Sequence, residues 1–225
     1  MTRYSWVVRK THPEAGLEYA KRVLGLYEKY SKRNVFNIVY NTLMVCECEN
    51  FCGNPRRAFS LAQQAEKNAL ALGDSTVISD VYQDMAYFAV SLGDKRSTHF
   101  ALLSCRYSDT RFVSKRLMLA KAYEKTGNYH ECINLLDTLR LENNGQRYEA
   151  FAMRHRAAVK LNDPAALSYA DSAYHYIEAM FDDELCDKTI YFENLMQEKT
   201  ERLQAEAWTV LYKAVSYTHL TLPTT

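Results

Sequence analysis

Three cysteines, Cys46, Cys48 and Cys52, form the densest group of potential metal ligands in the sequence. Residues four apart share a helix face, so Cys48 and Cys52 would lie together while Cys46 points elsewhere. A zinc site needs a second pair of Cys or His ligands at matching spacing, and none follows. The pattern therefore favours reduced thiols packed in a core, and we predict neither a metal nor a cofactor.

Other short motifs lack part of the chemistry they suggest. His130 and Glu131 begin like a zinc-protease helix, but Asn134 stands where the second histidine ligand would be. The run Arg154–Arg156 could contact a phosphate, yet consecutive helical residues point in divergent directions, which favours a solvated or groove-facing role. No Gly-rich phosphate loop, nucleophile elbow or assignable carboxylate pair is present. We therefore predict no catalytic residues and no enzyme activity.

Composition points to a helical protein. The 225 residues include only 7 Gly and 4 Pro, too few for the turns of an all-β fold. Lys plus Arg (28) nearly balance Asp plus Glu (27), which argues against direct nucleic-acid binding. The sequence contains neither a signal-peptide core nor a run of 18 apolar residues. We expect a reducing, cytoplasmic location, or a periplasmic one if the intact gene adds a signal peptide and a membrane helix.

Helical hairpins recur along the chain at a nearly fixed interval. Gly93 and Gly127 are 34 residues apart, and each follows a helical pattern that carries a small residue. Gly53 and Asn162 mark two further turns, and Pro55 follows the first of them, where proline suits the start of a helix. The aligned pairs are Met85 with Leu119, Ala86 with Ala120, and Leu102 with Leu136.

This unit, clearest over Leu119–Leu139, resembles the tetratricopeptide repeat (TPR). The resemblance implies an all-α, right-handed solenoid of TPR-like helix-turn-helix hairpins over residues 13–181. Small residues, Ala58, Ala86, Ala120 and Cys132, would let helices approach closely, and large ones would fill the wedge between them. We predict ten helices, at about 13–31, 34–52, 55–72, 75–92, 95–107, 111–126, 129–141, 145–161, 164–181 and 184–214.

In the TPR family the first helix of each hairpin lines a concave groove that holds a partner helix or peptide. Alignment to the turn glycine implies a groove that is acidic or neutral near its N-terminal end and more basic near Arg156 and Lys160, which suits a partner with an acidic end. A solvated face without a ligand is an equal alternative. The implied positions are Tyr40, Glu47, Asn50, Asp80, Gln83, Tyr87, Ser114, Lys121, Glu124, Glu149, Arg156 and Lys160.

The family's chaperone-tail clamp uses a Lys and an Asn one helical turn apart on the groove face. The corresponding positions here hold no such pair, which disfavours a chaperone-tail adaptor. The positions are Leu43 with Glu47, Gln83 with Tyr87, Leu117 with Lys121, and Ala152 with Arg156.

Both ends of the chain depart from the repeat. Residues 1–12 precede a helix whose partner helix is missing, so we expect an incomplete N-terminal segment. The charged helix predicted over residues 182–214 would either cap the solenoid or connect it to a further domain. Residues 215–225 match the translation of a sequencing-library adapter, so we expect them to be foreign and the natural frame to be cut near Ala214.

The hairpins and the charged helix together resemble the sensory part of bacterial TPR regulators, in which such an array precedes a histidine-kinase or helix-turn-helix module. The resemblance implies a scaffold that binds protein or peptide partners, with no membrane span in this segment. One alternative is the substrate-docking region of an enzyme whose catalytic domain follows Ala214. Another is a self-contained adaptor.

Overall fold

The computed structural model describes residues 12–109 and 112–182, together with positions 197, 200, 204 and 209. The chain divides into two compact units, Met1–Tyr174 and His175–Thr225. All regular structure in the described residues is helical, and none of these helices is long and apolar enough to cross a bilayer.

Eight complete helices and one further helical segment are described. They are α1 (Pro13–Tyr30), α2 (Val35–Phe51), α3 (Pro55–Leu72), α4 (Ser75–Ser91), α5 (Ser97–Tyr107), α6 (Val113–Thr126), α7 (Tyr129–Asp137), α8 (Asn144–Leu161) and a segment over 166–182. They match nine of the ten predicted helices closely. The predictions for residues 1–11, for most of residues 183–214 and for 215–225 lie outside the described residues.

The helix ends follow from local side-chain chemistry. The Asp74 carboxylate accepts hydrogen bonds from the backbone N–H groups of Thr76 (2.8 Å) and Val77 (3.1 Å), which caps the start of α4. Gly127 ends α6 with φ +85°, a left-handed conformation that favours glycine because it has no Cβ. The sequence therefore sets the hairpin turns locally.

Helix α7 is shorter than predicted, because it ends at Asp137 and not near residue 141. The Thr138 hydroxyl donates to the Leu135 carbonyl oxygen (2.7 Å) at this end. The chain then leaves the helix, and Leu139 and Leu141 pack against a buried cluster that includes Leu117 and Leu136. Burial of these two leucines stabilises the non-helical connection to α8.

Each helix packs against the next one in the chain, and α2, α4, α6 and α8 also contact one another in that order. This is the stacking expected of a helical solenoid, in which one hairpin buries the outer face of its neighbour. The largest buried cluster runs from α2 to α6, and a second one joins α6, α7 and α8. Tyr123 packs against both clusters and so connects them.

The predicted small residues at the helix crossings are confirmed by their burial. Ala58, Ala86, Ala120 and Cys132 are each 0% exposed. A methyl group or a thiol at these positions fills the contact without separating the two backbones. The close helix packing of the first unit depends on these side chains.

The predicted equivalence of Leu102 with Leu136 is wrong, because Leu136 is fully buried whereas Leu102 is 46% exposed. In α5 the buried small residues Ser97 and Ala101 correspond to Cys132 and Leu136 of α7, but each lies one residue closer to its turn glycine, Gly93, than its counterpart lies to Gly127. One residue turns an α-helix by about 100°, so this single shift carries Leu102 out of the core.

A buried carboxylate that the sequence analysis did not identify holds the first three helices together. Glu49 on α2 is 1% exposed, and its Oε1 lies 2.9 Å from Lys21 Nζ of α1 and 3.3 Å from Arg57 Nε of α3. The Asn54 side-chain amide donates to Glu49 Oε2 at 3.2 Å. These contacts offset part of the cost of removing the charge from water.

Replacing Ala120 with leucine should overpack the contact between α6 and its neighbours. We expect A120L to lower the free energy of unfolding by about 1–3 kcal/mol, measured by urea denaturation followed by circular dichroism. The same substitution at Ala71, an exposed position on α3, is the matched control and should change stability by less than about 0.5 kcal/mol. Equal effects of A120L and A71L would contradict the close-packing account.

Candidate protein-interaction face

All twelve predicted groove residues lie on α2, α4, α6 and α8, whose shared surface is here called the even-helix face. Their exposure differs along this face. Glu124 is buried, seven residues are half-buried, and Ser114, Glu149, Arg156 and Lys160 are exposed. The half-buried residues are Tyr40, Glu47, Asn50, Asp80, Gln83, Tyr87 and Lys121.

A polar network joins α2, α4 and α6 across this face. The Tyr40 hydroxyl donates to Asp80 Oδ2 (2.7 Å), and Lys115 Nζ donates to Asp80 Oδ1 (2.5 Å). Burial, and next the hydrogen bond to Asp80, raise the pKa of Tyr40 above its usual range, so the hydroxyl keeps the proton it donates. Asp80 therefore serves as the common acceptor for groups from two neighbouring hairpins.

Lys115 is 5% exposed, and the sequence analysis did not identify it. Its Nζ also donates to the Ser79 hydroxyl (2.7 Å). Ser79 and Ser104 in turn exchange hydroxyl-to-carbonyl hydrogen bonds of 2.7 and 2.9 Å between α4 and α5. A buried ammonium group needs such partners, and these come from residues 35 and 36 positions earlier in the chain.

Tyr87 occupies the middle of the even-helix face. The Asn50 side chain of α2 lies near its hydroxyl, and the Lys121 ammonium of α6 lies 5.5 Å from the centroid of its ring. Burial, and next the Glu47 charge, raise the pKa of Tyr87. Three of the predicted groove residues, Glu47, Asn50 and Lys121, therefore lie around a fourth, Tyr87.

A bidentate ion pair joins α6 and α8. Arg156 Nε and Nη2 donate to Glu124 Oε1 (2.7 Å) and Oε2 (2.9 Å). The Glu124 side chain is 7% exposed and that of Arg156 49%, so the carboxylate is buried while the guanidinium reaches the surface. The hydrogen bond to Glu124 raises the pKa of Arg156.

A cavity of about 390 Å³ opens beside this ion pair. The described side chains that line it are mainly basic, aromatic and apolar, and Glu124 is the one carboxylate among them. The lining residues are Glu124, Lys125, Tyr129, His155, Arg156, Val159 and Lys160. We call this region the basic end of the even-helix face.

The side chains of Arg154–Arg156 point in three directions, as predicted from their consecutive positions. Arg154 Nη2 lies 2.8 Å from Asp137 Oδ1, and His155 Nδ1 lies 2.9 Å from the Ala166 carbonyl oxygen. Arg156 alone of the three pairs with Glu124.

Two of the three clustered cysteines are packed in the core as predicted, whereas Cys52 is half-buried. Cys46 and Cys48 are both 0% exposed and belong to different buried clusters, which separates their thiols. Burial raises the pKa of Cys132 to about 12, so this thiol stays protonated near neutral pH. The described residues contain no group of three His, Cys, Asp or Glu side chains placed to hold a metal ion.

Comparison with known proteins identifies the fold. No family model matches the chain, and no curated protein matches its sequence. The structure is similar to a crystal structure of nearly identical TPR-like repeats from a candidate kinesin light chain of Podosopora anserina, with a TM-score of 0.62, and to a single-substitution form of the same protein, with a TM-score of 0.65. Each alignment covers 80% of this chain and 94% of the other at 13% identity. The chain therefore has a TPR-like repeat fold.

Removal of the guanidinium from the α6–α8 ion pair should leave a buried carboxylate with one partner fewer. We expect Arg156→Met to lower the free energy of unfolding by about 1–3 kcal/mol in urea denaturation. The companion variant Glu124→Gln removes the charge, so the double variant R156M/E124Q should be more stable than the sum of the single effects predicts. Strict additivity of the two substitutions would contradict this role for the pair.

Proposed function

We propose that this chain is a scaffold that binds an acidic peptide or partner helix at the basic end of the even-helix face. The observation that carries the proposal is the cavity of about 390 Å³ lined by Lys125, Arg156 and Lys160. Lys125 and Lys160 are exposed there, and Arg156 reaches the surface while its inner side holds Glu124. A carboxylate of a partner would find several cationic donors at this place.

The apolar part of the same cavity supports a polypeptide partner. Val159 is 51% exposed, and the Tyr129 ring, also in the lining, offers an amphipathic surface of the kind enriched at protein interfaces. A small inorganic anion would leave these side chains uncovered. A peptide that places an acidic residue against the lysines and an apolar one against Val159 would use both parts.

Several predicted groove residues nearer the N-terminal end contact one another and so take a structural role in this proposal. Tyr40 and Asp80 hydrogen-bond to each other, and Tyr87 engages Asn50 and Lys121. A ligand at the N-terminal half of the face would have to compete with these internal contacts. We therefore propose that the partner makes its principal contacts at the basic end and weaker contacts along the remainder of the even-helix face.

We further propose that the scaffold forms the input part of a bacterial signalling or transcriptional regulator. The support is the resemblance of the hairpins, together with the charged helix predicted from the sequence, to the sensory arrays of such proteins. We assign no catalytic step to the chain. The gene sequence downstream of Ala214 tests this placement, because a kinase or DNA-binding module supports a regulator and a catalytic fold supports an enzyme-docking region.

Charge reversal at the basic end should weaken binding of an acidic peptide. Peptides selected from a random display library against the chain should be enriched in Asp and Glu, and their affinity is then measured by isothermal titration calorimetry. We expect K125E/K160E to weaken binding by about tenfold or more, because attraction at two exposed sites becomes repulsion.

The matched control is Lys67→Glu, which makes the same kind of charge change at an exposed position on α3. It should alter the affinity by less than about twofold. Selection of neutral or basic peptides would refute the proposal. A loss of affinity in K67E as large as that in K125E/K160E would also refute it.

A further inference from the structure

A second cavity, of about 670 Å³, lies where α6, the end of α7 and the start of α8 meet. Three arginines from three different segments line it: Arg116 on α6, Arg140 in the connection after α7, and Arg147 on α8. This cavity is separate from the even-helix face, because Arg116 and Ser114 are two residues apart and face nearly opposite sides of α6. The alignment that located the groove did not identify any of these arginines.

Side chains at the rim of the cavity hold two of the three guanidinium groups. Arg116 Nη2 donates to the Thr138 hydroxyl (3.0 Å), and Arg147 Nη1 donates to Asn144 Oδ1 (3.1 Å). The contact of Arg116 leaves its positive charge in place, because the Thr138 hydroxyl is uncharged. An arginine has five N–H donors, so the single bond to Thr138 leaves most donors of Arg116 able to reach a ligand.

Arg116 and Arg140 form no ion pair with any residue that the structure describes. Glu142 also lines the cavity and is exposed, so the lining residues that the structure describes include three arginines and one carboxylate. The excess of positive charge is unusual for a chain whose basic and acidic residues nearly balance overall. It favours an anionic ligand with more than one negative charge.

We propose that this cavity binds a phosphorylated serine or threonine side chain of a peptide. An arginine guanidinium can donate two parallel, charge-assisted hydrogen bonds to phosphate oxygens. A phosphate monoester carries close to two negative charges at neutral pH. Val113, Leu139 and Leu141 add an apolar rim on which a residue next to the phosphorylated one can pack. A free inorganic phosphate would use the arginines but not this rim.

The test uses a capped tripeptide, leucine-phosphoserine-leucine, titrated into the full chain labelled with ¹⁵N-arginine and followed by NMR of the arginine Nε–Hε groups. The signals of Arg116, Arg140 and Arg147 should shift on binding, whereas that of Arg106, an exposed arginine on α5, should not. The same tripeptide with glutamate in place of phosphoserine should bind about tenfold more weakly, because it carries one negative charge fewer.

Two substitutions with opposite expected effects on affinity distinguish loss of the binding site from misfolding of a variant. Arg140→Gln, at an exposed position in the connection, should weaken the phosphopeptide by about tenfold, while the matched control Arg106→Gln should not change its affinity. Glu142→Gln should strengthen binding by several-fold, since it removes a like charge from the cavity. A misfolded variant cannot produce such a gain.

Several outcomes would overturn the assignment. These are equal affinity for the glutamate peptide, equal affinity for inorganic phosphate alone, tighter binding of a single-stranded oligonucleotide, or unchanged affinity in both R140Q and E142Q. The variants K125E and K160E should leave the phosphopeptide affinity unchanged. Failure of this site is therefore distinguishable from failure of the proposed acidic-peptide site on the even-helix face.

Discussion

Close approach of neighbouring helices is the constraint on which the rest of the first unit depends. Ala58, Ala86 and Ala120 are fully buried where successive helices pack, and none leaves room for a larger side chain. Two helices packed in this way still carry apolar outer faces, which only the next hairpin can cover. The surface formed by α2, α4, α6 and α8 is a direct consequence, because stacking places every second helix side by side.

Buried charges then fix how each hairpin sits on its neighbour. Lys115 donates hydrogen bonds to Asp80 and Ser79. Arg156 forms an ion pair with Glu124. Each of these contacts joins helices of different hairpins. Such pairs contribute little net stability, since desolvation offsets much of their attraction, but a slipped arrangement would leave a charge buried without its partner. In the N-terminal half of the face, polar side chains form contacts with one another. At the basic end, cationic side chains beside Val159 remain accessible to a ligand.

The repeat interval and the small residues were sufficient to predict the fold and nine of the helices, because hairpin turns and helix crossings depend on local sequence. They could not predict that Leu102 is exposed, since one residue fewer after Gly93 rotates it out of the core. The alignment assigned all twelve groove residues to four helices that contact one another in series, but it did not reveal that several of these residues contact each other. The buried side chains of Glu49 and Lys115 also escaped prediction, because their burial depends on partners from other helices.

The proposed function places partner binding at the basic end of the even-helix face. Hydrogen–deuterium exchange of the full chain, alone and saturated with a selected acidic peptide, tests it most directly. The account predicts slower exchange in α6 around Lys121–Lys125 and in α8 around His155–Lys160, with α3 and α5 unchanged. Slower exchange concentrated in α3 or α5, with α6 and α8 unaffected, would contradict it.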